Sequence, residues 1–393
     1  MTPLKWFSGF LKKYRLAIVI GLVLMTVIVA CAIVNPYISG MIVDDVIQGG
    51  AYDLLPKLIG IMLAVTAVRA ILRYATQMMF ETCSQGVLYR MRDAVYRKLL
   101  QEDFAFYNRN RTGDLMSRQT GDMDAIRHFV AFVIYTVYEN ILMFIFALVM
   151  IFMVNVKLAL CMMAVLPFCL FTTYLQSKYV KPRFHECRQS FSSLNAFVHE
   201  NISGNRVVKA FAKEEYEKEK FEKENDKYRE AELGAASIWC RFVPIFELLS
   251  NLLMVVLILY GGYQVICGEM TLGNLVTVNG YLWMLSNPLR FAGWWVNDVQ
   301  RFITSVEKIY DTYSKEPDVK KPKKGIKRKE MQGNIEFRNV SYEVEGEDII
   351  HNISFSVEKG QTVGILGSTG AGKSTIMNLL CRFYDVTEGE VLV

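Results

Sequence analysis

The chain has 393 residues, 52% of them hydrophobic and 12% aromatic, with a mean hydropathy of +0.22 and a net charge of +5. That length suggests two or three domains, and the apolar excess with 19 Met suits helices that face lipid and pack in bundles. A small charge spread in blocks argues against a nucleic-acid partner, and eight Cys without metal-ligand spacing, most of them in apolar runs (Cys31, Cys161, Cys169), argue against a zinc site or a disulfide framework.

Residues 1–15 are basic and amphipathic, with Trp6, Phe7, Phe10 and Leu11 set against Lys5, Lys12 and Lys13. They read as an interfacial elbow helix lying in the membrane surface. Leu16 to about Val34 is the first run long enough to cross ~30 Å of hydrocarbon, and it is expected to end at Asn35-Pro36. It is too long for a cleavable signal peptide and is followed by no small-residue cleavage site. A second span runs from about Leu58 to Phe80 and carries Arg69 and Arg73, which lipid disfavours and which should face the bundle interior or water. Spans three (about Phe129–Val154) and four (about Leu158–Val180) are separated only by Asn155, Val156 and Lys157, which forces an antiparallel hairpin. Span five covers about Phe242–Tyr260. After the loop Gly261–Met270, span six begins near Leu272.

Basic residues cluster before span one, between spans two and three, between four and five, and after six. The positive-inside rule then gives six crossings with both termini in the cytoplasm. Sequon-like triplets at Asn201, Asn339 and Asn352 fall on that side, so glycosylation is not expected. The two long cytoplasmic excursions, residues 90–127 and 181–241, have helical spacing and read as hairpins extending the membrane helices. Glycines in Thr112–Arg118 and Asn201–Lys209 are expected to break the helices at their tips. Residues 314–330, with Lys320 to Lys329 strongly basic, read as a solvated linker or a contact for anionic lipid. Short β-like runs, Asn334–Tyr342 and Ile349–Val357, open an α/β domain at about Met331.

Within that domain Gly367, Ser368, Thr369, Gly370, Ala371, Gly372, Lys373 and Ser374, followed by Thr375, fit the P-loop pattern G-x-x-x-x-G-K-[ST]. The glycines let backbone N–H groups turn inward onto phosphate oxygens. Lys373 is placed for the β- and γ-phosphates, and the Ser374 hydroxyl for Mg²⁺. Thr362–Leu366 before the loop reads as a buried strand and Ser374–Cys381 after it as a helix, whose N-terminus adds its dipole to the anion site. ATP with Mg²⁺ is the expected ligand.

Six spans with two cytoplasmic hairpins and then a P-loop domain resemble one half of an ABC exporter of the bacterial multidrug and lipid type. Phe106-Tyr107, Thr112–Arg118 and Asp122 are similar to the family's first coupling-helix region, and Glu200–Phe211 with Glu214 to its second. Asn334–Ser341, Ile353–Phe355, the P-loop, Arg382–Asp385 and Gly389 are similar to the start of its nucleotide-binding domain. The resemblance covers nearly the whole chain. It implies the ABC type I exporter fold: a polytopic α-helical membrane domain of six long transmembrane helices (residues 16–313) followed by the N-terminal part of an α/β P-loop NTPase domain (331–393). It places coupling helices at Gly113, Asp114 and Leu115 and at Gly204, Arg206 and Val207. It also implies a second half-transporter, identical or different, and ATP-driven export of a small hydrophobic or amphipathic substrate (drug, lipid or peptide) across the cytoplasmic membrane.

Two departures stand out. Val344 occupies the position where the family usually stacks an aromatic on adenine, and Tyr342 matches an inward-facing position, as a core residue or an adenine contact. The chain also reaches Val393 before the glutamine loop, the signature motif, the Walker B acid and the switch histidine. On this reading it is a fragment with no catalytic residue of its own. The alternatives are a truncated, non-hydrolysing regulatory subunit and a membrane-anchored nucleotide-binding protein. Glu139, Glu247 and Asn251, with Asn140, are the candidate cavity residues at membrane depth. Trp294, Trp295, Asn297 and Asp298 lie lower in span six, and the two Trp serve either a cavity or an interfacial anchor.

Overall fold

Apolar runs of this length can satisfy their backbone in lipid only as helices or closed barrels, and the computed structural model is built mostly of long helices. It describes residues 2–319, 333–344 and 346–393. The basic run Lys320–Lys329 and the domain start near Met331 lie outside the described residues. In chain order the helices are α1 (Pro3–Leu11), α2 (Arg15–Met41), α3 (Leu55–Leu99), α4 (Phe104–Arg109), α5 (Thr112–Ser117), α6 (Met123–His128) and α7 (Ile134–Val154). They continue as α8 (Val156–Met163), α9 (Leu166–Ser203), α10 (Asn205–Ala210), α11 (Glu214–Val256), α12 (Gly262–Ile266) and α13 (Leu272–Ser314). Strands β1 (Ile335–Val344) and β2 (Glu347–Val357), helix α14 (Lys373–Leu380) and strand β3 (Glu388–Leu392) complete the described chain. By length and composition, four helical stretches among the described residues can cross a membrane: Pro3–Gln48, Tyr52–Leu99, Thr112–Val154 and Glu214–Ile266.

One compact unit comprises Tyr14–Cys83 and Phe129–Gln300. Its core gathers Val29 and Ala32 from α2, Met143, Ala147 and Ile151 from α7, Leu158 and Met162 from α8, Leu253 from α11, and Val278 and Tyr281 from α13. The i, i+4 spacing of Met143, Ala147 and Ile151 shows why: each helix offers one continuous apolar face. A smaller cluster joins Met25, Ile28, Phe80 and Tyr135.

Contrary to expectation, α2 does not stop at Asn35-Pro36 but runs through Pro36 to Met41 and on into a π-helical turn, Ile42–Gln48. Proline inside a helix removes one hydrogen bond and crowds the preceding turn. The carbonyl that loses its donor is that of Ala32, and contacts from α13 support the helix right beside it. The Tyr281 hydroxyl donates to the Ile33 carbonyl at 3.0 Å, and the Pro36 ring sits over Gly280, where a Cβ would come within 2.6 Å of the proline Cβ. The hairpin between spans three and four is tighter than expected. Asn155 alone separates α7 from α8, its side chain accepting from the Leu158 N–H at 3.0 Å as an N-cap.

The second unit comprises Met1–Lys13, Ser84–His128 and Arg301–Val393. Trp6 and Phe7 of α1 are buried here, with ring centroids 5.1 Å from Tyr313 and 5.0 Å from Phe302 of α13. Lys5, Lys12 and Lys13 stay exposed. Ser305 donates to Asp122 at 3.0 Å, and Arg118 donates to the Thr312 hydroxyl.

The two helical tips form differently. Gly204 does break the helix, between α9 and α10. In the first excursion Gly113 lies inside α5, and the breaks fall at residues 100–103 and 110–111. Capping decides this. Asp103 accepts from the Phe106 N–H at 2.9 Å to start α4, and the Asn110 side chain donates to the Phe106 carbonyl at 2.8 Å to close it. A glycine inside a helix costs only about 1 kcal/mol against alanine, so it does not have to break one.

The sheet has the order β2-β1-β3, all antiparallel, with Phe337 opposite Phe355 and Glu336 opposite Leu392. Helix α14 covers it through Ile376 and Leu379, which pack with Phe337, Val340 and Ile350. The expected strand Thr362–Leu366 is not formed, and Leu366 is 96% exposed. A buried parallel strand depends on ladder partners from distant sequence, and among the described residues none pairs with this run.

Candidate functional site

The loop between the unformed strand and α14 carries the residues expected to bind nucleotide. Gly370 and Gly372 both adopt left-handed backbone, at φ +89° and +76°. L-residues with a Cβ pay for that conformation and glycine does not. Gly372 is also the N-cap of α14, and the Ile376 N–H donates to its carbonyl at 3.1 Å. A Cβ at Gly372 would lie 3.1 Å from the Ile349 carbonyl oxygen and from Ile350, whereas at Gly370 it would meet open space. Gly367 to Gly370 are exposed, with Ser374 exposed and Thr375 half-buried in the first turn of α14.

Lys373 folds back over this loop. Its Nζ donates to the Gly367 carbonyl at 2.9 Å and to the Ser368 carbonyl at 2.6 Å. The ammonium is therefore held above a concave backbone whose helix N-terminus favours anions. These residues fit a polyphosphate: a glycine-rich exposed loop, one ammonium above it and a hydroxyl at Ser374 for a metal shell.

Tyr342 and Val344, the adenine candidates, part company. Tyr342 packs into the domain core with its ring 5.5 Å from Tyr384, and burial pushes its phenol above the ordinary range. Val344 is exposed at the end of β1, opposite Glu347.

Asp103, Phe104 and Asn108, which sequence reasoning passed over, link the first excursion to the Arg382–Asp385 motif and to the segment after α13. Phe104 of α4 stacks on Phe383, just past α14, with centroids 4.3 Å apart. The Asn108 side chain donates to the Tyr384 hydroxyl at 2.8 Å. Asp103 does more than cap α4. Its Oδ2 accepts from the backbone N–H groups of Asp318 at 2.6 Å and Val319 at 3.1 Å, and Arg109 pairs with Asp318 at 3.2 Å. Burial alone would raise the Asp103 carboxyl, but the N–H donors of Phe106, Val319 and Asp318 with the nearby Arg109 hold it below the ordinary carboxylate range. A cluster of aromatics, Phe104, Phe106 and Tyr107, in an otherwise charged excursion was the available signal.

Of the residues expected at the coupling helices, Leu115 is buried while Gly113 and Asp114 are exposed on α5. At the second tip Arg206 is exposed, Val207 is 61% exposed and Phe211 beyond it 71%. The candidate cavity residues are not brought together. Glu139 is buried on α7 and ion-paired to Arg73 of α3, whereas Glu247 and Asn251 are exposed on α11. Asn140 donates to the Thr136 carbonyl of its own helix at 2.8 Å, and Trp294 lies edge-on to Trp239 with centroids 6.4 Å apart.

A family model of the ABC transporter transmembrane region matches residues 18–289, and a second model, described as ABC transporter, matches residues 350–393. The chain is 32% identical to the uncharacterised ABC transporter ATP-binding protein YknU of Bacillus subtilis, the match covering 100% of this chain and 68% of the relative. It is 33% identical to YheI of the same organism, described as a probable multidrug resistance ABC transporter ATP-binding/permease protein, over 99% of this chain and 67% of the relative. An ATP-dependent lipid A-core flippase of Syntrophus aciditrophicus is 27% identical over 89% of this chain and 58% of the relative.

Proposed function

This chain belongs to the ABC transporter family, and from that membership we propose that it is one half of an ATP-driven exporter of hydrophobic or amphipathic substrates. It crosses the cytoplasmic membrane six times with both termini in the cytoplasm, and it works paired with a second half. The names of the multidrug and flippase relatives support that substrate class.

The observation that carries the reading is the contact of α4 with the chain just beyond the P-loop helix. Phe383 and Tyr384 follow α14, so a shift of that helix on nucleotide binding acts directly on Phe104 and Asn108. From α4, only residues 100–103 intervene before α3, one uninterrupted helix of 45 residues. A rod of that length carries a displacement along its axis. With nucleotide bound, Lys373 would leave its loop carbonyls to neutralise the β- and γ-phosphates, backbone N–H groups from Gly367 to Ser374 would hold them, and the Ser374 hydroxyl would be a ligand for Mg²⁺. Exposed Val207 and Phe211 at the second tip support docking onto the partner half. Nucleotide-driven closure then switches two states of the assembly through their different affinity for ATP.

The test is ATP-dependent accumulation of a hydrophobic dye in vesicles holding the assembled transporter. Lys373→Ala in both halves should abolish accumulation and leave helical content unchanged. Accumulation that persists in that double variant refutes the role given to the P-loop.

A further inference from the structure

Polar groups of the membrane unit that the P-loop mechanism leaves unused fall on one stripe. Along α3, Thr66, Arg69, Arg73, Thr76 and Phe80 recur at spacings of three and four, so they share a face. Thr76 and Phe80 are at most 1% exposed and Arg69 and Arg73 half-buried, so this end of the face packs against protein, while Thr66 at the other end is exposed. Opposite it, Asn35 of α2 donates to Thr66 at 3.0 Å, and Glu139 of α7 accepts from Arg73.

The ion pair is lopsided. The Glu139 side chain is 8% exposed and that of Arg73 38%, so the carboxylate is sealed while the guanidinium stays open on its far side. Arg69, one turn away, lies within electrostatic reach of Arg73 and Glu139 yet makes no ion pair or hydrogen bond among the described residues. The Thr76 hydroxyl and the Asn35 amide oxygen are buried without partners as well. Two guanidiniums against one carboxylate leave a surplus positive charge near the middle of an apolar span, where cations are strongly disfavoured. A purely structural ion pair needs only one of the two arginines.

We infer that Arg69 and Arg73 form a subsite for the acidic head (phosphate, sulfate or carboxylate) of an amphiphile whose tail lies along the apolar helices. Guanidinium suits that task, since its planar fork engages an oxoanion through two parallel hydrogen bonds. Glu139 is a positioning residue: it fixes Arg73 and holds the surplus at one charge. The inference deepens the exporter reading by naming a substrate class and rests on it only for calling the bound amphiphile cargo. Binding itself needs no nucleotide.

The experiment counts radiolabelled dodecyl phosphate bound to the assembled protein in phosphatidylcholine nanodiscs without nucleotide, corrected for empty nanodiscs. Unlabelled dodecyl phosphate should displace the label, whereas dodecyltrimethylammonium and inorganic phosphate at the same concentration should not. Arg69→Gln should weaken binding by at least about tenfold, a loss in the range expected for charged hydrogen bonds, and Arg69→Lys should restore part of it. Glu139→Gln, which raises the surplus charge, should tighten binding; a merely structural pair would give no gain. Unchanged binding in folded Arg69→Gln and Arg73→Gln proteins, or equal displacement by the cationic amphiphile or by inorganic phosphate, overturns the inference. A preparation that binds and hydrolyses ATP while ignoring dodecyl phosphate sinks this site alone. One that binds dodecyl phosphate but no nucleotide sinks the exporter reading instead.

Discussion

Asp103→Ala strikes a side chain that holds three backbone amides at once. The first loss is the N-cap of α4, the bond from the Phe106 N–H at 2.9 Å, which contributes about 1 kcal/mol. The second is the pair of bonds from Asp318 and Val319 at 2.6 and 3.1 Å. Hydrogen bonds to a charged acceptor contribute about 1.5–3 kcal/mol each, and the lower end applies at a half-buried position where water can replace the carboxylate. For the segment after α13 that sums to about 3 kcal/mol, or roughly a hundredfold in its local opening equilibrium. Hydrogen–deuterium exchange of the Asp318 and Val319 amides reads it directly: protection should fall by roughly that factor, with the amides of α14 unaffected. Asp103→Asn, left with one acceptor oxygen, should fall between. The pH dependence has a fixed sign. The folded carboxyl is depressed, so its contribution is complete above the ordinary aspartate value of about 3.9 and is lost only as pH falls through the lower folded value. Protection of these amides in the unmodified protein should therefore hold from pH 7 to 5. Unchanged exchange in Asp103→Ala, or loss of protection already near pH 5, refutes the reasoning.

Two further outcomes follow from backbone geometry. Gly372→Ala forces a Cβ into left-handed backbone, which costs about 1–2 kcal/mol, and sets it 3.1 Å from the Ile349 carbonyl; binding of a fluorescent ATP analogue should weaken by tenfold or more. Gly370→Ala shares the positive φ but opens onto free space, so its loss should be smaller. Tyr281→Phe deletes the donor to the Ile33 carbonyl beside Pro36 and should lower stability by about 1 kcal/mol, visible as a reduced thermal midpoint in detergent.

Local chemistry was legible in the sequence and long-range pairing was not. The P-loop is contiguous, so its glycines and Lys373 declare themselves, and α14 begins within a residue of its expected start. Strands β1 and β2 pair antiparallel and were also readable. Thr362–Leu366 has strand composition, but its state depends on neighbours that local composition does not encode. Pro36 reads as a helix end until Tyr281 and Gly280, more than two hundred positions away, supply a hydrogen bond beside the gap and space for the ring. Asp103 reads at best as a cap, because its other partners stand 215 and 216 residues off. The candidate cavity residues separate for the same reason: Glu139 and Glu247 look alike as carboxylates in apolar runs, and only packing distinguishes a sealed ion pair from an exposed side chain.

The seat of Pro36 over Gly280 acts as a detent. Sliding α13 along α2 by one turn would bring Thr277 or Met284 beneath the proline ring, and a site that refuses a single methyl accepts neither. At this level the two helices can rock about the notch but cannot ratchet past one another, so a conformational cycle has to leave this contact in place as a pivot.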